Sequence, residues 1–445
     1  LAINQNRRKS LLLLTCDVVL AVAIFNLVAL LRGIISEPEI APFLAPALVF
    51  VISLHLIDGY GATSDMLSLD YASLHLIASF FAALTTFLFT FVFIPAGFEL
   101  QSSRITIALG FGLLGPATLG YRRILYERSN VSRGERKIIF VGDKEDFDNF
   151  SAECARMGTA RPLVHAEPSV AGQVEAVLGS VVRAEVQVEA IVVKESGKEL
   201  PSDVPIKLVQ LYFEGVPTYT LELFHQVYWR KIPLYRINPI WLFQEGFKVA
   251  REPVFERTKR ALDILLSILG LVLSSPVVAV AALGIKIDDR GPVFFTQRRI
   301  GQHKIPFRLV KLRTMRASGD ASDPYTRQND ARITRFGSLL RKTRMDELPQ
   351  LWNVLLGDMS LIGPRAEWDR LVAEYERDIP SYHFRHLVKP GITGWAQVNY
   401  RYGQGVEDTL RKLEYDLYYI RRYSFMLDAS IVLKTLHVML LRKGH

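Results

Sequence analysis

Residues 264–285 read ILLSILGLVLSSPVVAVAALGI, a run of 22 residues without a charged side chain. About 20 apolar residues let a helix cross the hydrocarbon of a bilayer, so length alone admits a span. Two features point elsewhere. Ser274-Ser275-Pro276 lies in the middle of the run, where proline removes a backbone donor and predicts a break or sharp kink. Both flanks are basic, with Arg257, Lys259 and Arg260 before and Lys286, Arg290, Arg298 and Arg299 after. A span would carry one cluster across the membrane, against the tendency of basic residues to stay on the cytoplasmic side. A helix that dips in, breaks at Ser275-Pro276 and returns keeps both clusters on one face. The run is read as a re-entrant helix hairpin over 261–287.

Toward the N-terminus the chain holds four more apolar runs, at 11–31, 42–57, 74–98 and 105–121, interrupted only by Asp17, His55 and His75. Each approaches the length of a membrane helix. A cleavable leader is the other reading of the first, with Ala21-Val22-Ala23 resembling a cleavage site, but the apolar stretch continues past it. Arg7, Arg8 and Lys9 precede the first run, and Arg122, Arg123, Arg128, Arg133, Arg136 and Lys137 crowd the end of the fourth. Both ends are then cytoplasmic, as an even count of four spans requires.

The chain has 445 residues, 49% of them hydrophobic, and a mean hydropathy of +0.17. That suggests two or three domains and excludes a largely disordered protein. Two cysteines, Cys16 and Cys154, supply neither a disulfide framework nor a zinc site. The net charge of +9 calls for an anionic partner, and it is unevenly placed. Residues 254–445 hold 31 basic and 20 acidic side chains, whereas 138–250 hold 11 and 15. In that acidic middle stretch, 137–141 (KIIFV) and 189–193 (EAIVV) read as buried strands and 146–157 as a helix. The pattern is that of a Rossmann-like α/β module. Gly142 stands alone, with no GxGxxG or P-loop after it, so the module is read as binding no nucleotide. The domains are thus 1–136 in the membrane, 137–250 as the α/β module, and 251–445 as a mixed α/β domain carrying the re-entrant hairpin.

The last domain carries the chemistry. A turn and strand at 291–295 lead to Gln297-Arg298-Arg299, and an alternating stretch at 307–311 delivers Lys311, Arg313 and Thr314. A helix follows, with Phe336, Leu339, Leu340 and Thr343 on one face and Arg341 and Arg344 turned elsewhere. It meets Asp346-Glu347 just before Pro349, which places a helix junction beside two carboxylates. Adjacent side chains on a helix diverge by roughly 100°, so the pair suits two tasks at one site: one oxygen attacking, the other holding a metal. Magnesium is the ion such a pair favours, because it takes oxygen ligands and bridges phosphates. Arg298, Arg313 and Arg365 are candidates to clamp phosphates. Taken alone, the pair is also compatible with a solvated helix end.

From about residue 259 onward the chain resembles the bacterial sugar transferase family, the monotopic phosphoglycosyl transferases. The matching stretches are Lys259–Asp263 (KRALD), Ser275-Pro276, 291–301, 311–315, 335–363 with Asp346-Glu347, and 389–395 (KPGITGW). The preceding regions resemble the large subgroup of that family by architecture only. The resemblance implies transfer of a hexose 1-phosphate from a UDP-hexose to undecaprenyl phosphate. It also implies that Asp346 is the nucleophile, that Glu347 helps bind magnesium, and that Gln297, Arg298, Lys311, Arg313 and Arg365 handle substrate and phosphate. The setting it implies is a bacterial inner membrane with the site on the cytoplasmic face, and a homodimer is admitted. One departure stands out: Ala366 follows Pro364-Arg365 where the family usually has a second proline. His303 also stands where a small residue is common.

Three alternatives remain at this level. A glycosyltransferase moving only the sugar would use Asp288-Asp289 as its acidic pair, although that pair also suits capping of the apolar run. A catalytically silent scaffold would not need Asp346. Nucleic-acid binding would use the charge, but no nucleic-acid motif is present. The helix containing Leu410, Leu413, Leu417 and Ile420 is either core or headgroup-embedded, and Trp395 either core or interfacial anchor.

Overall fold

The computed structural model describes residues 2–60, 66–67, 69–93, 104–130, 136–159, 161–170, 172–183, 185–194, 204–234, 253–316, 330, 332–379, 381–400, 403 and 405–440. The chain divides into two compact units, Leu1–Trp229 and Arg230–His445. Residues 230–232 go with the second because Lys231 Nζ pairs with Glu414 at 2.9 Å and Ile232 N–H donates to the Glu414 carbonyl at 3.0 Å.

In the first unit the apolar runs form helices α1 (Ala2–Leu31), α2 (Ala41–Leu56), α3 (Leu69–Phe93) and α4 (Arg104–Asn130). They pack in a closed ring, α1 and α3 each lying against both α2 and α4. The charged residue inside the first run is accounted for: Asp17 is fully buried and ion-paired with Arg122 of α4. Tyr60 donates to the same carboxylate at 2.7 Å, and Tyr121 donates to its other oxygen. Ionisable groups at this depth require such pairing within the bundle. Across the chain, three helical stretches among the described residues are long and apolar enough to cross a membrane: Ser10–Leu31, Tyr71–Thr90 and Val254–Asp288. Helix α2, with 16 residues, falls short of that length. Residues 94–98, the end of the third apolar run, lie outside the described residues.

The same unit contains β1 (Lys137–Val141), α5 (Lys144–Arg156), β2 (Leu163–Ala166), α6 (Gln173–Val182), β3 (Val188–Val193), α7 (Val204–Phe213) and β4 (Thr218–Thr220). The strands form one parallel sheet in the order β2-β1-β3-β4. Alternation along β1 splits the core in two. Ile138 and Phe140 join Phe150 and Phe224 on one face, while Ile139 and Val141 join Leu178 and Leu208 on the other. Burial on both faces is why the strand reads as a continuous apolar run.

The second unit opens with α8 (Pro253–Asp289), which contains the 22-residue run. Its helical structure continues through Pro276 instead of breaking into two helices, and Ser275 Oγ donates to the Val272 carbonyl at 2.8 Å. Strands β5 (Phe294–Ile300) and β6 (Pro306–Leu312) form an antiparallel hairpin. At its tip His303 and Lys304 adopt φ of +54° and +62°, a backbone region that favours small residues. Then come α9 (Arg335–Lys342), α10 (Gln350–Leu356), β7 (Ser360–Ile362), α11 (Asp369–Asp378), β8 (Gly391–Thr393), α12 (Trp395–Asn399), α13 (Val406–Arg421) and α14 (Phe425–Leu440). Parallel pairing of β7 with β8 brings Gly363 and Gly391 so close that a Cβ on Gly391 would lie 2.0 Å from the Gly363 nitrogen.

The main core of this unit gathers Trp395, Tyr382, Tyr419, Leu417 and Ile420. Helix α13 is therefore a core helix, and Trp395 a core residue whose indole N–H donates to the Arg230 carbonyl at 2.9 Å. On α9, Leu340 is buried with Phe336 against Ala281, Ile285 and Leu312, while Leu339 is exposed.

Candidate active site

Asp346 and Glu347 sit on a single 3₁₀ turn, Met345–Glu347, between α9 and α10. Helix α9 ends at Thr343, and Arg344 takes a left-handed conformation (φ +53°) that turns the chain sharply. Pro349 then opens α10, supplying a fixed φ where no helical donor is needed. The two carboxylates diverge in environment as well as direction. Asp346 is 8% exposed and makes no direct ion pair among the described residues. Glu347 accepts from Arg365 Nη1 at 3.4 Å and lies 3.9 Å from Arg344 Nη1.

Burial, and then the adjacent Glu347 charge, push the Asp346 carboxyl up to about 6. The positive fields of Lys311, Arg341 and Arg365 oppose that rise. Lys311, at the end of β6, is pushed down to about 8 by burial and by the charges of Arg299, Arg341 and Arg365, with Asp346 pulling the other way. Its amino group lies 5.2 Å from the centre of the Phe295 ring. At neutral pH the carboxylate is mostly ionised yet more basic than an exposed aspartate, which favours nucleophilic attack.

Of the residues expected from sequence, Lys311, Asp346, Glu347 and Arg365 come together. Arg298 does not join them: it lies on the outer face of β5, 66% exposed, 3.4 Å from Asp369. Gln297 faces the other way and accepts from Arg299 Nη2 at 2.6 Å. Arg313 is buried with its guanidinium beneath Gly291, where a Cβ would meet it at 2.0 Å, and is not among the charges felt most strongly by Asp346. Arg341 is a site residue that helical periodicity turned away from the carboxylates. It lies in the last turn of α9, and its Nε donates to Thr314 Oγ1 at 2.9 Å. Its sequence signal is its place five residues before Asp346, ahead of a chain reversal that the pattern does not reveal. The rival acidic pair has a structural use, since Asp288 accepts from the Phe336 N–H at the start of α9, 3.2 Å away.

No cluster of three or more His, Cys, Asp or Glu side chains able to hold a metal occurs among the described residues. The carboxylate oxygens of Glu347, beside Arg365, nonetheless have the chemistry that magnesium takes, since that ion keeps several waters and needs few protein ligands. Beside the site is an apolar cleft of about 450 Å³ lined by Leu271, Ser275, Val278, Phe294, Pro349 and Trp352. It joins the middle of α8 to the Leu348-Pro349 step that follows the carboxylates.

Residues 254–442 match the family described as bacterial sugar transferase. The chain is 44% identical over 189 residues to the UDP-N-acetylgalactosamine-undecaprenyl-phosphate N-acetylgalactosaminephosphotransferase of Aeromonas hydrophila, covering 42% of this chain and 45% of that protein. It is 44% identical over 191 residues to the UDP-glucose:undecaprenyl-phosphate glucose-1-phosphate transferase of Xanthomonas campestris pv. campestris, covering 42% and 40%. It is 42% identical over 189 residues to the exopolysaccharide production protein PSS of Rhizobium leguminosarum bv. phaseoli, covering 40% and 92%. The chain thus spans less than half the length of the first two relatives and nearly all of the third.

Proposed function

The chain belongs to the bacterial sugar transferase family, and on that premise we propose that it transfers a hexose 1-phosphate from a UDP-hexose to undecaprenyl phosphate. The observation that carries this reading is Asp346: a buried carboxylate with no direct ion pair among the described residues, in the positive fields of Lys311, Arg341 and Arg365. A carboxylate oxygen of Asp346 attacks the sugar-proximal phosphorus; the bond to the bridging oxygen breaks, and its electron pair leaves with UMP. A phosphate oxygen of the lipid then attacks the phosphosugar on Asp346, and breaking of the P–O bond to the aspartate returns the carboxylate. Lys311, Arg341 and Arg365 orient the phosphates and offset charge on the transferring group and the leaving UMP. Glu347 would hold magnesium, which supplies further neutralisation of phosphate charge.

The acceptor is supported by the apolar cleft, which offers a dry wall for an isoprenoid chain whose phosphate reaches the basic site. The topology of α8 supports the same arrangement. At its start Lys259 pairs with Asp428 at 2.5 Å, Arg260 donates to the Leu355 carbonyl at 2.7 Å and Asp263 accepts from Leu361 N–H at 3.1 Å. At its end Ala281 and Ile285 pack on Leu312 and Leu340, and Asp288 holds Phe336. Both ends are tied to one polypeptide unit, which supports a helix that bends around Ser275-Pro276 within the bilayer and stays at one face over one that crosses. Exposed Leu265, Val272, Leu273 and Val280 meet lipid. With the four helices of the first unit as spans, the site faces the cytoplasm at the inner membrane.

Incubating the full chain with a panel of UDP-hexoses, undecaprenyl phosphate and magnesium tests this reading. UMP release is expected; UDP release would instead indicate transfer of the sugar alone, and no release with any donor would favour a scaffold.

A further inference from the structure

We propose that Arg385 is a positioning residue that fixes the backbone of Arg365 through a hydrogen bond to its carbonyl. Arg385 is 6% exposed, on the 3₁₀ segment Tyr382–Leu387. Its Nη2 donates to the Arg365 carbonyl at 2.9 Å and pairs with buried Asp416 at 2.9 Å, while Nη1 donates to Tyr382 Oη at 2.6 Å. One residue on, Arg299 Nη1 donates to the Ala366 carbonyl at 3.0 Å. On the other edge the Gly391 N–H donates to the Pro364 carbonyl at 2.9 Å. Three successive carbonyls, 364 to 366, are therefore each held by a donor from a different element.

Stability alone does not account for this use of arginine. A buried ion pair costs desolvation that its attraction often only matches, and apolar residues of similar volume do as well. The guanidinium has a planar fork that can hold Asp416 and a backbone carbonyl together, and the carbonyl it reaches belongs to the arginine that contacts Glu347. The inference rests on the phosphate-binding role proposed for Arg365.

The test is a double-mutant cycle on the full chain, read as the dissociation constant for UDP with magnesium by calorimetry. UDP presents both phosphates and cannot turn over. Arg365→Ala and the charge-neutral pair Arg385→Gln with Asp416→Asn are made singly and together. With Arg365 present, the neutral pair should weaken UDP binding about tenfold; in the Arg365→Ala background it should cost less than about twofold, since its effect passes through that residue. Equal losses in both backgrounds, or no loss in either, would overturn the proposal. Should the neutral pair fail to fold, Arg385→Lys takes its place with the same two outcomes, because a single-point ammonium keeps charge beside Asp416 without the fork. Absence of UDP binding by the unaltered chain would overturn the inference and the functional reading together. UDP binding without UMP release from any UDP-hexose would overturn the reading alone.

Discussion

Two regions of this chain place aspartates near a lysine, and they do so to opposite effect. At the carboxyl end of the parallel sheet, where α/β proteins often bind phosphates, Lys194 contacts both Asp143 and Asp146 directly, the second at 3.1 Å. There the ammonium is held by the carboxylates of its own module. At the 3₁₀ turn in the second unit, Lys311, Arg341 and Arg365 act on Asp346 without a direct ion pair to it among the described residues. There the carboxylate sits in a positive field without a direct ion pair among the described residues, which leaves its oxygens able to reach phosphorus. A contact closed on itself holds structure; one left open can do chemistry.

The comparison breaks most visibly by neutralising one carboxylate in each region. Asp346→Asn is expected to lower UMP release by about a thousandfold or more, as loss of a covalent nucleophile does. Asp143→Asn should leave release within about twofold; parity between the two in the same assay would contradict the contrast. Removing magnesium with EDTA should abolish most transfer, and restoring the ion should recover it while the thermal midpoint stays put. Lys311→Ala and Arg341→Ala, each deleting one cation that faces Asp346, should each cost about a hundredfold in kcat.

The pH profile sharpens the same point. Because burial and Glu347 raise the Asp346 carboxyl to about 6, its reactive deprotonated form is lost as pH falls through that value, higher than an exposed aspartate would require. Transfer should decline about tenfold per unit well below the midpoint, and an acid limb near 4 would argue against the rise that burial and Glu347 impose on this carboxyl. The smallest effect on activity belongs to Lys194→Met. It leaves buried Asp146 without that cation and should destabilise the α/β module by about 1–3 kcal/mol, seen as a lower melting midpoint, with transfer unchanged.

Where the information is local, the chain is legible. Asp346-Glu347 beside Pro349 marks a helix junction, and the alternation through Phe307 and Leu309 carries Lys311 to the end of a strand. The buried strands β1 and β3 are equally plain as β-branched runs. What escaped depends on direction. Gln297 and Arg298 are adjacent on β5, so strand alternation sends them to opposite faces; Arg299, with Gln297, takes the face toward Lys311. Arg313 lies one residue beyond β6, where alternation no longer dictates its path, and it turns beneath Gly291. Arg341 depends on the left-handed turn at Arg344, a conformation rare for arginine and unmarked by any glycine. The clamp on residues 364–366 draws on Arg385, Arg299 and Gly391, remote in sequence, so no window contains it. Pro276 shows the limit of a local rule, since helical structure continues through a residue expected to break it.

The central claim is that Asp346 carries the phosphosugar between donor and lipid. Mass spectrometry of the full chain mixed with its UDP-hexose and magnesium, with no lipid acceptor present, tests it directly. The account predicts UMP released in proportion to enzyme and one hexose phosphate attached to the peptide containing Asp346, lost again when undecaprenyl phosphate is added. An unmodified peptide alongside full turnover in the presence of lipid would contradict it.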